Sequence, residues 1–149
     1  MRDLPGTLRR VKLPWMLVIA ALAITGCDPT WAATVDNQSD QTILVGRIYR
    51  VDGEPGRDVL VAGPHARTTI GTYGVGARAL VEHVVLMTES CEVLASQPIW
   101  DTFYEGGVIL VGPDQSIGFN GGGNPPSGEA ADATPHCLDT VRALAPQIR

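Results

Sequence analysis

Lysine is almost missing from this sequence: Lys12 is the single lysine, and none follows it. Four of the eleven basic residues and one of the sixteen acidic residues lie within residues 1–26. Residues 27–149 therefore carry seven arginines against fifteen carboxylates, a net charge of −8. The absence of lysine excludes lysine nucleophiles and Schiff-base chemistry from residues 27–149. The acidic balance argues against nucleic-acid binding, because such binding needs clustered cations facing phosphate.

Aromatic residues make up only 5% of the chain, so a hydrophobic core must be built mainly from valine, isoleucine, leucine and alanine. The sequence has no C-x-x-C or H-x-x-H spacing of a metal site and no Gly-x-Ser-x-Gly motif of a serine hydrolase. Its histidines, His65, His83 and His136, fall in separate stretches. No cofactor is therefore indicated. Carboxylates are numerous enough to leave paired Asp/Glu chemistry open.

The N-terminus has the order of an export signal. Basic residues within residues 2–12 precede an uncharged apolar run over residues 13–24, and the small residues Thr25 and Gly26 precede Cys27. A basic segment, a short apolar segment and small residues before a cleavage site define such a signal. The run Ile24-Thr25-Gly26-Cys27 resembles the lipobox of bacterial lipoproteins. The resemblance implies that Cys27 is acylated and becomes the N-terminus of a protein anchored at the extracytoplasmic face of the cell membrane.

Three other interpretations of the N-terminus stay open. An uncleaved membrane-spanning helix would need about 20 apolar residues, and Pro14 interrupts the start of this run. An ordinary secretory signal would be cut near Trp31, which would discard Cys27. The pair Arg9-Arg10 suggests a twin-arginine signal, although its neighbours fit that pattern poorly. In the lipobox interpretation, by contrast, two acyl chains on Cys27 would suffice for stable anchoring.

Two cysteines remain after the lipobox. Outside the cytoplasm, a pair such as Cys91 and Cys137 predicts a disulfide bond, here closing a separation of 46 residues. The alternative is a metal site formed by the two cysteines with His136 and His83, which the spacing does not favour.

Short apolar runs separated by Gly- and Pro-rich turns predict an all-β protein, an Ig-like or related antiparallel β-sandwich. Residues 82–88 form the most apolar run, and Gly112-Pro113-Asp114 predicts a hairpin turn. Leu138, Val141 and Leu144 recur at helical spacing and predict a short terminal helix. The expected organisation is a helical signal peptide over 1–26, a short tether over 27–33, the sandwich over 34–120, and a flexible loop with a disulfide-pinned tail over 121–149.

The polar stretch 36–40 predicts a hairpin-like turn between the first two strands. Asp36, Gln38 and Asp40 alternate as calcium ligands do, but Gln41 stands where a calcium loop needs glycine. The run over residues 35–45 resembles the opening of small exported β-sandwich domains of actinobacterial lipoproteins, in which an N-x-(S/T)-D turn joins the first strands and a later cysteine pairs towards the C-terminus. That resemblance implies a fold and no particular activity.

A cluster of aromatic and acidic residues is the candidate binding face. Trp100, Asp101, Phe103 and Tyr104 follow one another closely, and aromatics flanked by acids suit recognition of a protein or a glycan. The same aromatics are equally needed for the core of an aromatic-poor domain.

The sequence thus predicts a non-enzymatic binding or scaffolding module of the cell envelope. Its partners would be membrane lipid through Cys27 and an envelope protein or glycan, with no nucleic acid. The alternatives are a small envelope hydrolase with carboxylate or serine chemistry and a small-ligand carrier. A hydrolase should show convergent polar groups in a concave site, and a carrier should show an internal cavity.

Overall fold

The computed structural model describes residues 31–73, 79–99, 107–121 and 128–147. These residues form a β-sandwich of two five-stranded sheets with one short helix. The strands are rich in valine, isoleucine and threonine, whose branched side chains pack well on a pleated surface. The all-β sandwich expected from the sequence is therefore confirmed.

The elements follow one another along the chain with short connections. They are β1 (Trp31–Asn37), β2 (Ile43–Val51), β3 (Glu54–Ala62), β4 (Arg67–Tyr73), β5 (Ala79–Met87), β6 (Val93–Pro98), β7 (Gly107–Val111), β8 (Ile117–Gly121), β9 (Glu129–Ala130), β10 (Asp132–Thr134), α1 (Leu138–Leu144) and a 3-10 turn (Ala145–Gln147). Sheet I has the order β8-β7-β1-β4-β9, and sheet II has the order β10-β3-β2-β5-β6.

The main core lies between the facing surfaces of the two sheets. Alternate residues of each strand point into it, because successive side chains of a strand point to opposite faces. The buried members from sheet I include Val35, Ile70 and Ile109, and those from sheet II include Val45 and Leu86. Tyr49 and Phe119 pack at the margin of this core, and the described residues buried at its centre are aliphatic.

The centre of sheet II is buried on both faces, which explains why β5 and the first half of β2 are nearly continuous apolar runs. In β5, Val84 and Leu86 face sheet I, whereas Val85 and Met87 face outwards into a second cluster of buried residues. Helix α1 covers that outer face and contributes the fully buried Val141. The terminal helix predicted from spacing is thus confirmed, and its apolar side packs on sheet II.

A polar contact joins the two sheets. Arg47 on β2 donates from Nη1 to the main-chain oxygen of Ile70 on β4 at 2.6 Å, and from Nε to Asp58 on β3 at 2.7 Å. Its Nη2 also pairs with Asp58, and its guanidinium lies 5.3 Å from the ring centre of Tyr49. Both charged side chains are mostly buried, so the bidentate geometry compensates for lost hydration.

Three features of the topology differ from expectation. The prediction of a hairpin-like connection between β1 and β2 is wrong. Strand β1 belongs to sheet I and β2 to sheet II, so residues 38–42 cross between the sheets. Sheet I is not purely antiparallel, because β1 pairs with β7, and β4 with β9, in parallel. Within 121–149, expected to hold a flexible loop, β9 and β10 add short strands to the two sheets. The hairpin at residues 112–114 is confirmed by the antiparallel pairing of β7 with β8.

Candidate functional site

Four connections meet at one end of the sandwich, which we call the loop end. They are residues 38–42, 63–66, 88–92 and 112–116, and they follow β1, β3, β5 and β7. The strand registers bring them together, since Leu44 opposes Met87 and Asn37 opposes Val111. Loops clustered on a rigid scaffold are where binding residues concentrate.

Asn37 organises the loop end from within. It is fully buried, and its side-chain Nδ2 lies within hydrogen-bond distance of the main-chain oxygens of Gln41, Ala62 and Gly63, at 2.8, 3.1 and 2.8 Å. Its Oδ1 accepts hydrogen bonds from the main-chain N and the hydroxyl of Ser39, at 3.1 and 2.7 Å. One amide thereby shapes the crossover between sheets and ties it to the 63–66 turn.

Surface hydrogen bonds join the neighbouring turns. His65 Nε2 donates to the carboxylate of Asp40 at 2.8 Å, and the His65 main-chain N donates to Ser39 at 3.3 Å. Across the other side, Gln115 Nε2 donates to Gln41 Oε1 at 2.6 Å. Three of the four connections are held together by these contacts, so the surface they form is preorganised.

Two open pockets lie at the loop end or beside it, one lined in part by His65 and the other by its partner Asp40. The first, of about 550 Å³, is lined by Asp36, His65, Ala66, Arg67 and Glu129. The second, of about 510 Å³, is lined mainly by hydroxyl, amide and carboxylate groups, including those of Asp40, Gln41, Thr42, Ser90, Glu92 and Gln115.

The second pocket is strongly acidic. Asp40, Glu89 and Glu92 line it, and its lining residues include no arginine, lysine or histidine. Beside it, the Ser116 hydroxyl donates to the carboxylate of Asp114 at 2.6 Å and the Ser116 main-chain N donates at 3.1 Å. These hydrogen bonds lower the pKa of Asp114, because they favour its charged form. The loop end therefore offers negative charge and hydrogen-bonding groups.

The three side chains considered as calcium ligands do not converge on one point. Asp36 pairs with Arg67 at 3.1 Å, and Asp40 pairs with His65. Gln38 is exposed. The polar stretch is thus organised as a turn by Asn37, in agreement with the turn chemistry expected from its composition.

Cys91 and Cys137 are brought together as the sequence predicted. Their sulfur atoms are 2.01 Å apart and their Cα atoms 5.3 Å apart. His136 lies beside them: its Nε2 is 3.9 Å from Cys91 Sγ and donates to the main-chain oxygen of Glu89 at 2.7 Å. The disulfide joins the turn after β5 to the residue before α1. His83 is not part of this group.

His83 is paired with a serine instead. Its Nε2 lies 2.7 Å from Ser96 Oγ on the neighbouring strand. The residue is 6% exposed, and burial lowers the pKa of His83 because desolvation disfavours the imidazolium. Nδ1 is buried and has no hydrogen-bond partner among the described residues. An orphaned lone pair costs less than an orphaned N–H, so the favoured tautomer places the proton on Nε2, where it points at the serine and does not activate it.

The remaining site residues of the sequence analysis lie outside the described residues: the lipid-attachment residue Cys27 and the candidate binding face of Trp100, Asp101, Phe103 and Tyr104. The loop end, by contrast, could not be predicted from local sequence patterns. Asn37 stands in a polar stretch that resembles an exposed turn, and no local pattern marks it as buried.

Comparisons with protein-family models, curated proteins and solved structures gave no significant match to this chain. Among the described residues, no helix has the length and apolar character needed to cross a membrane.

Proposed function

We propose that this protein is a membrane-anchored binding module of the cell envelope, tethered through acylated Cys27, and that it contacts its partner with the loop end. It is a non-enzymatic protein in this proposal. The support comes from the geometry of β1 and from the preorganised polar surface at the loop end.

The position of strand β1 is the main support for this proposal. The strand begins at Trp31, four residues after Cys27 in the sequence, and ends at Asn37 inside the loop end. A strand of seven residues spans about 20–25 Å at about 3.3 Å per residue. An acyl chain on Cys27 would therefore enter at one end of the sandwich, and the loop end would be presented at the other, away from the lipid.

The charge of the loop end favours a partner with basic groups. Carboxylates of Asp40, Glu89 and Glu92 line the second pocket, and residues 27–149 carry a net charge of −8. Complementary charge raises the association rate and disfavours acidic surfaces. An envelope protein with a basic patch fits this better than a neutral glycan does, and binding should weaken as salt rises.

The anchor is tested by replacing Cys27 with serine. The natural protein should fractionate with the membrane and be released by detergent. C27S should appear in the soluble fraction, because it lacks the sulfur that carries the acyl chains. A C91S variant serves as the matched control for loss of a cysteine and should stay with the membrane. Equal membrane retention of C27S and the natural protein would contradict the anchor.

Binding at the loop end is tested by photo-crosslinking in intact cells. A photoreactive amino acid at Glu89 should capture the partner, whereas the same group at Asp52 should not. Asp52 is an exposed turn residue between β2 and β3, at the opposite end of the sheet. A supporting result is one defined product at Glu89 that decreases with salt. Equal capture at both positions would refute the assignment.

Serine chemistry is a second candidate function, favoured by the 2.7 Å contact between His83 and Ser96. A serine hydrolase activated by His83 should react with a fluorophosphonate probe, and S96A should abolish the labelling. The binding module proposed above predicts no labelling at Ser96, because the favoured tautomer of His83 donates to the hydroxyl and removes no proton from it.

A further inference from the structure

The two disulfide cysteines and the neighbouring His136 form a cluster of potential metal ligands. Cys91, His136 and Cys137 offer two sulfur atoms and one imidazole nitrogen, all within 4.8 Å of one another. His136 is exposed and Cys91 is partly exposed, so solvent reaches the cluster. Thiolate and imidazole ligands are those that zinc prefers in proteins.

The separation of Cys91 Sγ and His136 Nε2 is already close to the one that a single zinc ion needs. Zinc with Zn–S of about 2.3 Å and Zn–N of about 2.0–2.1 Å needs a sulfur–nitrogen separation of about 3.6 Å in tetrahedral geometry. Cys91 Sγ and His136 Nε2 are 3.9 Å apart. The same geometry requires the two sulfurs to be about 3.8 Å apart, so they are the atoms that must separate.

Backbone contacts hold the ligands in place independently of the disulfide. Cys91 donates from its main-chain N to Thr88 at 3.0 Å, and Thr88 donates to Glu92 at 3.0 Å. On the other side, His136 donates from its main-chain N to the hydroxyl of Thr134 at 3.2 Å, and Thr134 pairs with Val59 in sheet II. Both turns therefore stay attached to the sheet when the sulfurs separate.

We propose that Cys91, His136 and Cys137 form a redox-gated zinc site. A dithiol reductant attacks the disulfide by thiol–disulfide exchange and becomes a disulfide itself, while Cys91 and Cys137 become thiols. Zinc then binds both sulfurs as thiolates with the release of two protons. His136 gives up its hydrogen bond to Glu89 and carries its proton on Nδ1, so that the lone pair of Nε2 binds the metal, and water occupies the fourth position.

The exchange preserves the role of the disulfide. In the oxidised protein, the sulfur–sulfur bond joins the 88–92 turn to the start of α1. In the reduced protein, zinc joins the same two segments. The outer face of sheet II is then covered by α1 in both redox states, and metal binding is restricted to the reduced one.

The test uses the full chain carrying C27S, which removes the third thiol, with zinc or cobalt ions as the only added ligand. The chain is reduced with a phosphine, and metal content, cobalt absorption and circular dichroism are measured before and after reduction. The reduced chain should bind one zinc ion, and cobalt should give sulfur-to-metal charge-transfer absorption. The oxidised chain should bind neither.

Variants distinguish this site from adventitious binding. H136A should weaken zinc binding by at least ~10-fold, while H65A, which removes an exposed histidine of another turn, should leave it unchanged. Equal affinity of H136A and the C27S parent would overturn the three-ligand site. A reduced chain that binds no zinc would also overturn the proposal. This holds if the chain keeps its β-sheet circular dichroism, and equally if it loses that signal and does not recover it when zinc is added.

Discussion

The side chain of Val141 on α1 lies directly over the α-carbon of Gly46 on β2, so closely that a β-carbon at Gly46 would overlap Val141 Cγ2. Glycine is required there by the approach of the helix. The contact shows how tightly α1 is fitted to the outer face of sheet II, and it makes the helix a sensitive reporter of that face.

Replacing Gly46 with alanine should destabilise the protein by about 1–3 kcal/mol, the usual cost of overpacking. The G46A/V141A double variant should be less destabilised than the sum of the single variants, because removing the valine methyls makes room for the new one. Denaturant unfolding measures each free energy. G118A is the control, since a β-carbon there meets nothing closer than Leu110 Cβ at 3.8 Å. Strict additivity of G46A and V141A would contradict the direct contact.

Asn37 should be among the most sensitive polar positions of the chain. N37A removes the amide that bonds with Ser39, Gln41, Ala62 and Gly63. Leaving such groups unpaired costs about 1–3 kcal/mol for a buried partner, so we expect a loss of at least that size. The exposed neighbour substitution Q38A should change stability by less than about 0.5 kcal/mol. Similar stabilities of N37A and Q38A would contradict the organising role of Asn37.

Stability should fall in mildly acidic solution because of His83. Burial lowers the pKa of His83 below its ordinary value of 6.5, so the unfolded chain takes up a proton before the folded one does. The contribution is present above pH 6.5 and is lost as the pH falls from there towards the folded pKa. H83Q should flatten this part of the stability–pH profile. S96A should retain it, because the histidine stays buried; a profile unaffected by H83Q would disprove the assignment.

The disulfide should stabilise the oxidised protein substantially. Closing 46 residues between Cys91 and Cys137 is worth up to about 4 kcal/mol in the chain-entropy account. The C91S/C137S variant should unfold at correspondingly lower denaturant, with hydrogen exchange rising first in α1. Peptide mapping without reduction should recover the two cysteines in one linked peptide. Two free thiols in the oxidised protein would contradict the pairing.

Much of the fold could be predicted from sequence because apolar runs and turn residues alternate regularly. The apolar run at residues 82–88 became β5 with only small changes in its bounds, and β2 holds a second apolar run of the same kind. Their side chains are apolar at consecutive positions because sheet II is covered on both faces. Such runs predict strands well, but they do not indicate which element packs against each face of a strand.

The errors arose where local composition is compatible with more than one topology. The stretch 36–40 has turn residues in either a hairpin or a crossover, and buried Asn37 selects the crossover through contacts to Ala62 and Gly63, far away in sequence. Strands β9 and β10 have two and three residues, too few to show a period. The loop end was missed for the same reason: its parts are distant in sequence and each resembles an ordinary turn.

Measuring how far each end of the sandwich lies from the bilayer tests the proposed orientation of the domain. The acylated protein in vesicles should carry a fluorescent amino acid either at Glu89, in the loop end, or at Asp52, at the opposite end, with quenchers in the lipid headgroups. We predict strong quenching at Asp52 and weak quenching at Glu89, since the ends are about 20–25 Å apart along a seven-residue strand such as β1. Equal quenching at the two positions, or stronger quenching at Glu89, would contradict a loop end that faces away from the membrane.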